Sequence, residues 1–289
     1  MNTLEITKKI LNKYNIRANK RYGQNFLIDD DILTGIVNVA DIKKEDLVIE
    51  IGPGLGNLTK YLLESAGYVI AVEIDKKMIE ILNDRFSKYK NFLLLNEDIL
   101  KVNIDEIIKK IEKESGIKYK NIKVVANLPY YVTTPIIFKL LQDENKINEI
   151  TIMVQKEVAD RMVANVKSKD YGILTLMVKY LADADIKLEV KNTCFIPAPN
   201  VTSSVIKLIK DKKYTVSNEK MLFDLIHSSF AQRRKKMINS LVATRFMNLD
   251  KSFIENIFKE CNIDFNTRAE ELSIEKYIQI VNNINEKNK

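Results

Sequence analysis

Glu50-Ile51-Gly52-Pro53-Gly54-Leu55-Gly56-Asn57 is the stretch whose reading decides the fold. It follows a short apolar run at 47–51, a strand by its length and aliphatic content, and leads into an amphipathic helix at 58–65. Glycines in such a strand-to-helix turn let the backbone bend sharply and let a ligand approach with no Cβ in the way. A dinucleotide fingerprint would place its third glycine at Asn57, but the spacing here is G-x-G-x-G. A pyrophosphate seat is therefore disfavoured, and a ligand with no phosphate at that turn is favoured.

Outward from this turn the chain alternates strands with helices. Strands are expected at 47–51, 69–73, 92–96, 122–126 and 149–154, and helices at 58–65, 76–86, 104–114, 135–141, 157–163 and 173–181. The alternation predicts an α/β fold, a doubly wound, mostly parallel Rossmann-like sheet covered on both faces. Two later strands, 186–191 and 201–209, joined by a Pro-containing loop, read as an antiparallel hairpin at one edge. Beyond a polar linker at 210–218, apolar residues recur at helical spacing, from Met221 to Phe258. The expected division is a sheet domain over 1–210, opening with a basic, partly helical arm at 1–22 ahead of the folded part, and a small all-helical domain over 211–289.

Bulk properties narrow the classes further. The 289 residues are 46% hydrophobic and 29% charged, with a net charge of +7. No apolar run is long enough to cross a bilayer, and the first ten residues lack the apolar core of a signal peptide. Cys194 and Cys261 are far apart with no metal-ligand spacing, which fits a reducing cytoplasm and excludes a structural zinc site. No metal is expected. The arm carries Lys8, Lys9, Lys13, Arg17, Lys20 and Arg21 against Glu5, and Arg233-Arg234-Lys235-Lys236 forms a second basic run. Both are natural phosphate contacts; the alternative for the run is a solvated helix face.

The strand tips carry the chemistry. Glu73 ends the second strand, where an acid can accept from both ribose hydroxyls, and Asp98 follows the third, where it can accept from an adenine amino group. Each could alone be a helix cap; their order at consecutive strand ends argues for an adenosine-containing ligand. The fourth strand ends in Asn127-Leu128-Pro129-Tyr130-Tyr131. Leu128 is pushed extended by the following proline, and Pro129 has no N–H to compete. Such a rigid turn can aim the Asn127 side-chain oxygen and a backbone carbonyl at one amino group and turn its lone pair toward an electrophile. The amino nitrogen of adenine is a weak nucleophile, so geometry is what a protein must supply. Tyr130 can stack on an extruded base, and Phe195 of the late loop can cover its other face. Both aromatics could instead be core residues. The lone histidine, His227, reads as structural.

Five segments, Gly23-Gln24-Asn25-Phe26-Leu27, Glu50 to Gly56, Asn127-Leu128-Pro129-Tyr130, Phe195-Ile196-Pro197-Ala198-Pro199-Asn200-Val201 and Phe230-Ala231-Gln232-Arg233-Arg234-Lys235-Lys236, together resemble the ribosomal RNA adenine dimethyltransferases over nearly the whole chain. The resemblance implies a class I methyltransferase sheet, S-adenosylmethionine as cofactor, and cofactor contacts from Asn25, Leu27, Gly52, Glu73, Asp98 and Asn127, with Gly54 and Gly56 in the same turn. It implies methyl transfer to the N6 amino groups of two adjacent adenines in a hairpin loop near the 3′ end of 16S rRNA, in the small ribosomal subunit or its precursor. It also implies a helical second domain that recognises RNA. A macrolide-resistance branch acts on one adenine of 23S rRNA, and usually has isoleucine where Leu128 stands. A cytoplasmic monomer with a part in ribosome biogenesis and no membrane partner is expected. Two rivals remain, a dinucleotide-dependent oxidoreductase and a non-catalytic RNA-binding assembly factor.

Overall fold

The structure is a computed structural model, and it describes residues 1–16, 24–142 and 146–287. The chain divides into two compact units, Met1–Ala159 with Ala184–Lys210, and Asp160–Asp183 with Asp211–Lys289. In chain order the first part holds α1 (Thr3–Lys13), β1 (Phe26–Leu27), α2 (Asp30–Ala40), β2 (Asp46–Ile51), α3 (Asn57–Ser65), β3 (Tyr68–Glu73), α4 (Lys76–Phe86) and β4 (Phe92–Asn96). There follow α5 (Ile104–Ser115), β5 (Asn121–Asn127), α6 (Thr133–Gln142), β6 (Glu149–Gln155), α7 (Lys156–Met162), α8 (Ile173–Leu181), β7 (Ala182–Val190), β8 (Phe195–Ile196) and β9 (Ser203–Lys210).

Seven strands form one sheet in the order β4-β3-β2-β5-β6-β9-β7. β2 pairs in parallel with β3 and β5, β3 with β4, and β5 with β6, whereas β6 and β9 are antiparallel. Strand β2 is buried along its whole length, as its unbroken aliphatic run requires of a strand covered on both faces. The sheet grows in one direction through β3 and β4 and in the other through β5 and β6. The point of reversal lies at the carboxyl ends of β2 and β5, where open α/β sheets bind their ligands. The two late strands are neighbours at the edge, as expected. Between them β8 leaves the sheet and pairs antiparallel with β1, Phe26 opposite Ile196 and Leu27 opposite Phe195.

Two features of this unit differ from the expectation. The basic arm is helical in part, as expected, but its helix is docked rather than lying ahead of the folded part: α1 buries Thr3, Thr7 and Ile10, the Thr3 amide donates to Asp30 at 3.2 Å, and Lys13 pairs with Asp84 at 3.3 Å. Lys8 and Lys9 remain exposed on it, while Arg17, Lys20 and Arg21 lie outside the described residues. Helix α2 had no counterpart in the sequence reading. Asp29 caps it by accepting from the amides of Asp31 and Ile32, and Leu33 and Ile36 enter the core.

The second unit is helical, adding α9 (Glu219–Phe230), α10 (Met237–Ala243), α11 (Lys251–Glu260) and α12 (Ile274–Lys287). It also takes residues 160–183, which the change of texture at 210 would have left with the sheet. The reason is in α8, apolar nearly all round, with seven of its nine residues buried. A helix apolar on all sides needs cover on all sides, and α8 packs on α9 and α12. The Tyr171 and Tyr277 hydroxyls, buried in the same core, donate to the carbonyls of Leu272 and Ala269 at 2.9 and 3.0 Å.

Candidate active site

A cavity of about 360 Å³ opens at the carboxyl ends of β2, β3 and β5 in the first unit. Its floor is the glycine turn. Gly52, Gly54 and Gly56 have φ of 65°, 56° and 80°, the left-handed region that L side chains rarely adopt. Gly52 and Gly54 line the cavity, and a Cβ on Gly54 would stand 3.3 Å from the Phe26 ring. Gly56 does not line it. A Cβ there would run into the Phe86 ring and Leu82 of α4, so this glycine serves the packing of the turn against α4, and its expected ligand contact is corrected to that role.

Four carboxylates line the cavity, Glu50, Glu73, Glu97 and Asp98, and three of them are each held differently. Glu73, buried at the end of β3, accepts from the Gly54 amide at 3.1 Å and the Asp75 amide at 2.8 Å. Burial pushes its pKa up, and the two amides pull against that shift. Its bond to Gly54 ties the second strand tip to the first. Asp98 accepts from the Leu100 amide at 3.0 Å, so it both caps a turn and borders the cavity. Glu50 is the third. It lies within β2, fully buried, and burial pushes its carboxyl up to about 8. Its Oε2 has no hydrogen-bond partner among the described residues.

Opposite the glycines stands the Asn127-Leu128-Pro129-Tyr130 turn, all four residues lining the cavity. The Leu128 amide donates to the Met153 carbonyl at 3.1 Å, and the Val132 amide returns to the Pro129 carbonyl at 3.2 Å, so the turn is pinned at both ends. The Asn127 amide nitrogen donates to the Asn25 carbonyl at 3.4 Å. The Tyr130 hydroxyl shares a 2.6 Å hydrogen bond with Ser203, anchoring the far edge of its ring. Burial raises the pKa of that phenol, so it stays protonated at neutral pH.

Asn25 and Leu27 also line the cavity, carried over it by the β1–β8 pairing. Phe195 does not. It is 3% exposed, opposite Leu27 in β8 and packed in the core, so the covering role expected of it becomes one of supporting the β1 segment. In the second unit, Arg233, Arg234, Lys235 and Lys236 are all exposed, on a turn between α9 and α10 rather than on a helix face. Arg233 is tied to the carbonyls of Lys169 and Tyr171, and Lys236 to the Asn266 side chain.

The chain matches the ribosomal RNA adenine dimethylase family over residues 15–286. It is 49% identical to a ribosomal RNA small subunit methyltransferase A of Lachnoclostridium phytofermentans, over 98% of this chain and 97% of that one. It is 46% identical to the protein of that name from Clostridioides difficile, over 97% and 96%. A dimethyladenosine transferase from Plasmodium falciparum has a similar structure, with a TM-score of 0.74 and 26% identity over 90% of this chain and 97% of that one. The 23S rRNA methyltransferase ErmE shares the fold, with a TM-score of 0.63 and 21% identity over 89% of this chain and 98% of that one. The chain belongs to the ribosomal RNA adenine dimethylase family.

A member of this family is a methyltransferase that uses S-adenosylmethionine, and the cavity fits that ligand. The glycine floor leaves room where side chains would stand, and Glu73 offers oxygens for ribose hydroxyls. Sequence reasoning left out part of the lining: Ile74, Leu100 and Tyr131 are large, apolar, exposed and on the cavity wall. Their signal was position, since each directly follows, or stands two or four residues beyond, Glu73, Asp98 or Asn127. Among the described residues no cluster of His, Cys, Asp and Glu could hold a metal ion, and no helix is long and apolar enough to cross a membrane.

Proposed function

We propose that the chain dimethylates the N6 amino groups of two adjacent adenines in a hairpin loop near the 3′ end of 16S rRNA, in the small ribosomal subunit or its precursor. The observation that carries this reading is the Asn127 amide, held by the Asn25 carbonyl on the wall facing the glycine turn. Its relatives at 44–49% identity are named for the small ribosomal subunit, which favours that RNA over the large-subunit one.

When bound, S-adenosylmethionine supplies a methyl group on a sulfonium, which passes to the adenine nitrogen by direct displacement as the carbon–sulfur bond breaks. The chain holds and orients. Asn127 Oδ1 and a carbonyl of the Pro129 turn accept from the amino group, so its lone pair points at the methyl carbon. Tyr130 stacks on the extruded base. Water takes the proton released from the nitrogen, so no general base is required. Glu73 binds the ribose hydroxyls and Asp98 the adenine of the donor. The exposed Lys8, Lys9, Arg234 and Lys235 contact phosphates, giving affinity with little sequence choice. An unpaired loop suits this design, because proteins read RNA sequence where bases are unstacked.

The same reading makes the protein a cytoplasmic monomer that acts during ribosome biogenesis, in keeping with its two free cysteines. Purified protein, small subunits lacking the modification and a labelled methyl donor test the reading. Label should appear as dimethyladenosine in one 3′-terminal hairpin fragment of 16S rRNA. Label confined to 23S rRNA, or none, contradicts it.

A further inference from the structure

Asn57 stands where a dinucleotide site would have glycine, and nothing in the reaction uses it. The structure shows it 7% exposed, as the first residue of α3 directly after the glycine turn. One amide hydrogen goes to Thr7 Oγ1 of α1 at 2.9 Å and the other to the Leu27 carbonyl of β1 at 2.8 Å. Its Oδ1 is buried with no partner among the described residues. A buried orphan acceptor is costly. An amide kept there in spite of that cost is kept for its two donors.

Those donors act on the segment that roofs the cavity. Strand β1 has only two residues, and its pairing with β8 is its whole sheet. Two residues before the carbonyl that Asn57 holds is Asn25, whose own carbonyl receives the Asn127 amide nitrogen. One chain of bonds thus runs from the start of α3 through Asn57, Leu27 and Asn25 to Asn127, and Asn57 itself borders the cavity. We propose that Asn57 is a positioning residue for methyl transfer: by holding Leu27 it sets where the Asn25 carbonyl stands, and through that carbonyl the direction of the Asn127 amide. This rests on the transfer reaction proposed above. Thr7 is a side branch of the chain, tying α1 to the same amide without standing between Asn57 and Asn127.

Two variants of the full-length protein separate positioning from core stability. Asn57→Leu keeps the bulk and removes both donors, while Thr7→Val keeps the shape and removes only the branch to α1. Both should lower the thermal midpoint. Asn57→Leu should lower kcat on small subunits about tenfold or more, as misplacement of a reacting group does. The KM for subunits and the calorimetric dissociation constant for S-adenosylhomocysteine should stay within about threefold, since the change is in aim rather than in affinity. Thr7→Val should keep kcat within about twofold. Equal kcat losses in the two variants, or an unchanged kcat in Asn57→Leu, would overturn the proposal. If Asn57→Leu does not fold, Asn57→Ser, which can donate to only one acceptor, replaces it under the same criteria. Absence of transfer by the wild-type protein in the same assay counts against the reaction itself and not against the place of Asn57 in it.

Discussion

On the cavity wall the Asn127 amide has its donor end taken by the Asn25 carbonyl, and in the proposed reaction its Oδ1 accepts from the substrate. Asn127→Ala should therefore cost roughly 100-fold or more in kcat, while S-adenosylhomocysteine binding weakens only modestly. Parallel kinetics and calorimetry check that split. Glu73→Ala should act the other way round. It removes charge-assisted acceptors for the ribose and leaves the Gly54 and Asp75 amides without their partner, so cofactor binding should weaken by about 10- to 100-fold. An unaltered dissociation constant would remove Glu73 from the ligand. Glu50 makes a prediction about pH. Its folded-state pKa is raised from 4.5 to about 8, so between those values the folded chain retains a proton that the unfolded chain has lost. Its contribution to stability therefore falls as pH rises through that window. Replacing it with neutral Gln removes this loss, so the midpoint of Glu50→Gln relative to wild type should rise steadily from pH 5 to pH 8 in the ligand-free protein.

At the level of single elements, Gly56 turns the chain into α3 at φ 80° with α4 against its Cα. Alanine there meets both left-handed strain and overpacking, and should cost about 2–5 kcal/mol in denaturant unfolding while the cavity lining keeps its composition. The regular elements were legible where periodicity is clean. Helices α4 and α8 and strand β4 occupy the residues their patterns predicted, and the other sheet strands differ by a few residues at their ends. Helix α2 was missed although its signal was present, an Asp29 cap before apolar residues at helical spacing. Strands β1 and β8 could not be read, because a two-residue pairing leaves no period and depends on residues far apart in the chain. That pairing buries Phe195, which is why an aromatic on a proline-rich loop looked available for stacking and is not. Local signals placed the glycine turn, Glu73, Asp98 and Asn127 on one cavity. The roof over them, from Asn25 to Leu27, needed a family resemblance.

Over the whole molecule the +7 charge is spread across both units, with exposed lysines on α1 in the first and the basic turn before α10 in the second. If the turn binds phosphates, neutralising Arg234 and Lys235, two of its exposed cations, should weaken RNA binding and flatten its salt dependence. The slope of log affinity against log salt should drop by about one for each phosphate-binding cation removed. An unchanged slope would leave the turn as solvated surface. The alternation of strands and helices described the sheet unit well, but order along the chain hid the passage of residues 160–183 into the helical unit, which only the all-round burial of α8 reveals. The central claim, that Asn127 aims an adenine amino group of small-subunit RNA, is met most directly by mass spectrometry of 16S rRNA from a strain deleted for this protein. Complementation with the wild-type chain should restore two adjacent dimethyladenosines near the 3′ end, and complementation with Asn127→Ala should leave them unmodified. Dimethyladenosines present at full level in the deletion strain, or fully restored by Asn127→Ala, would contradict the account.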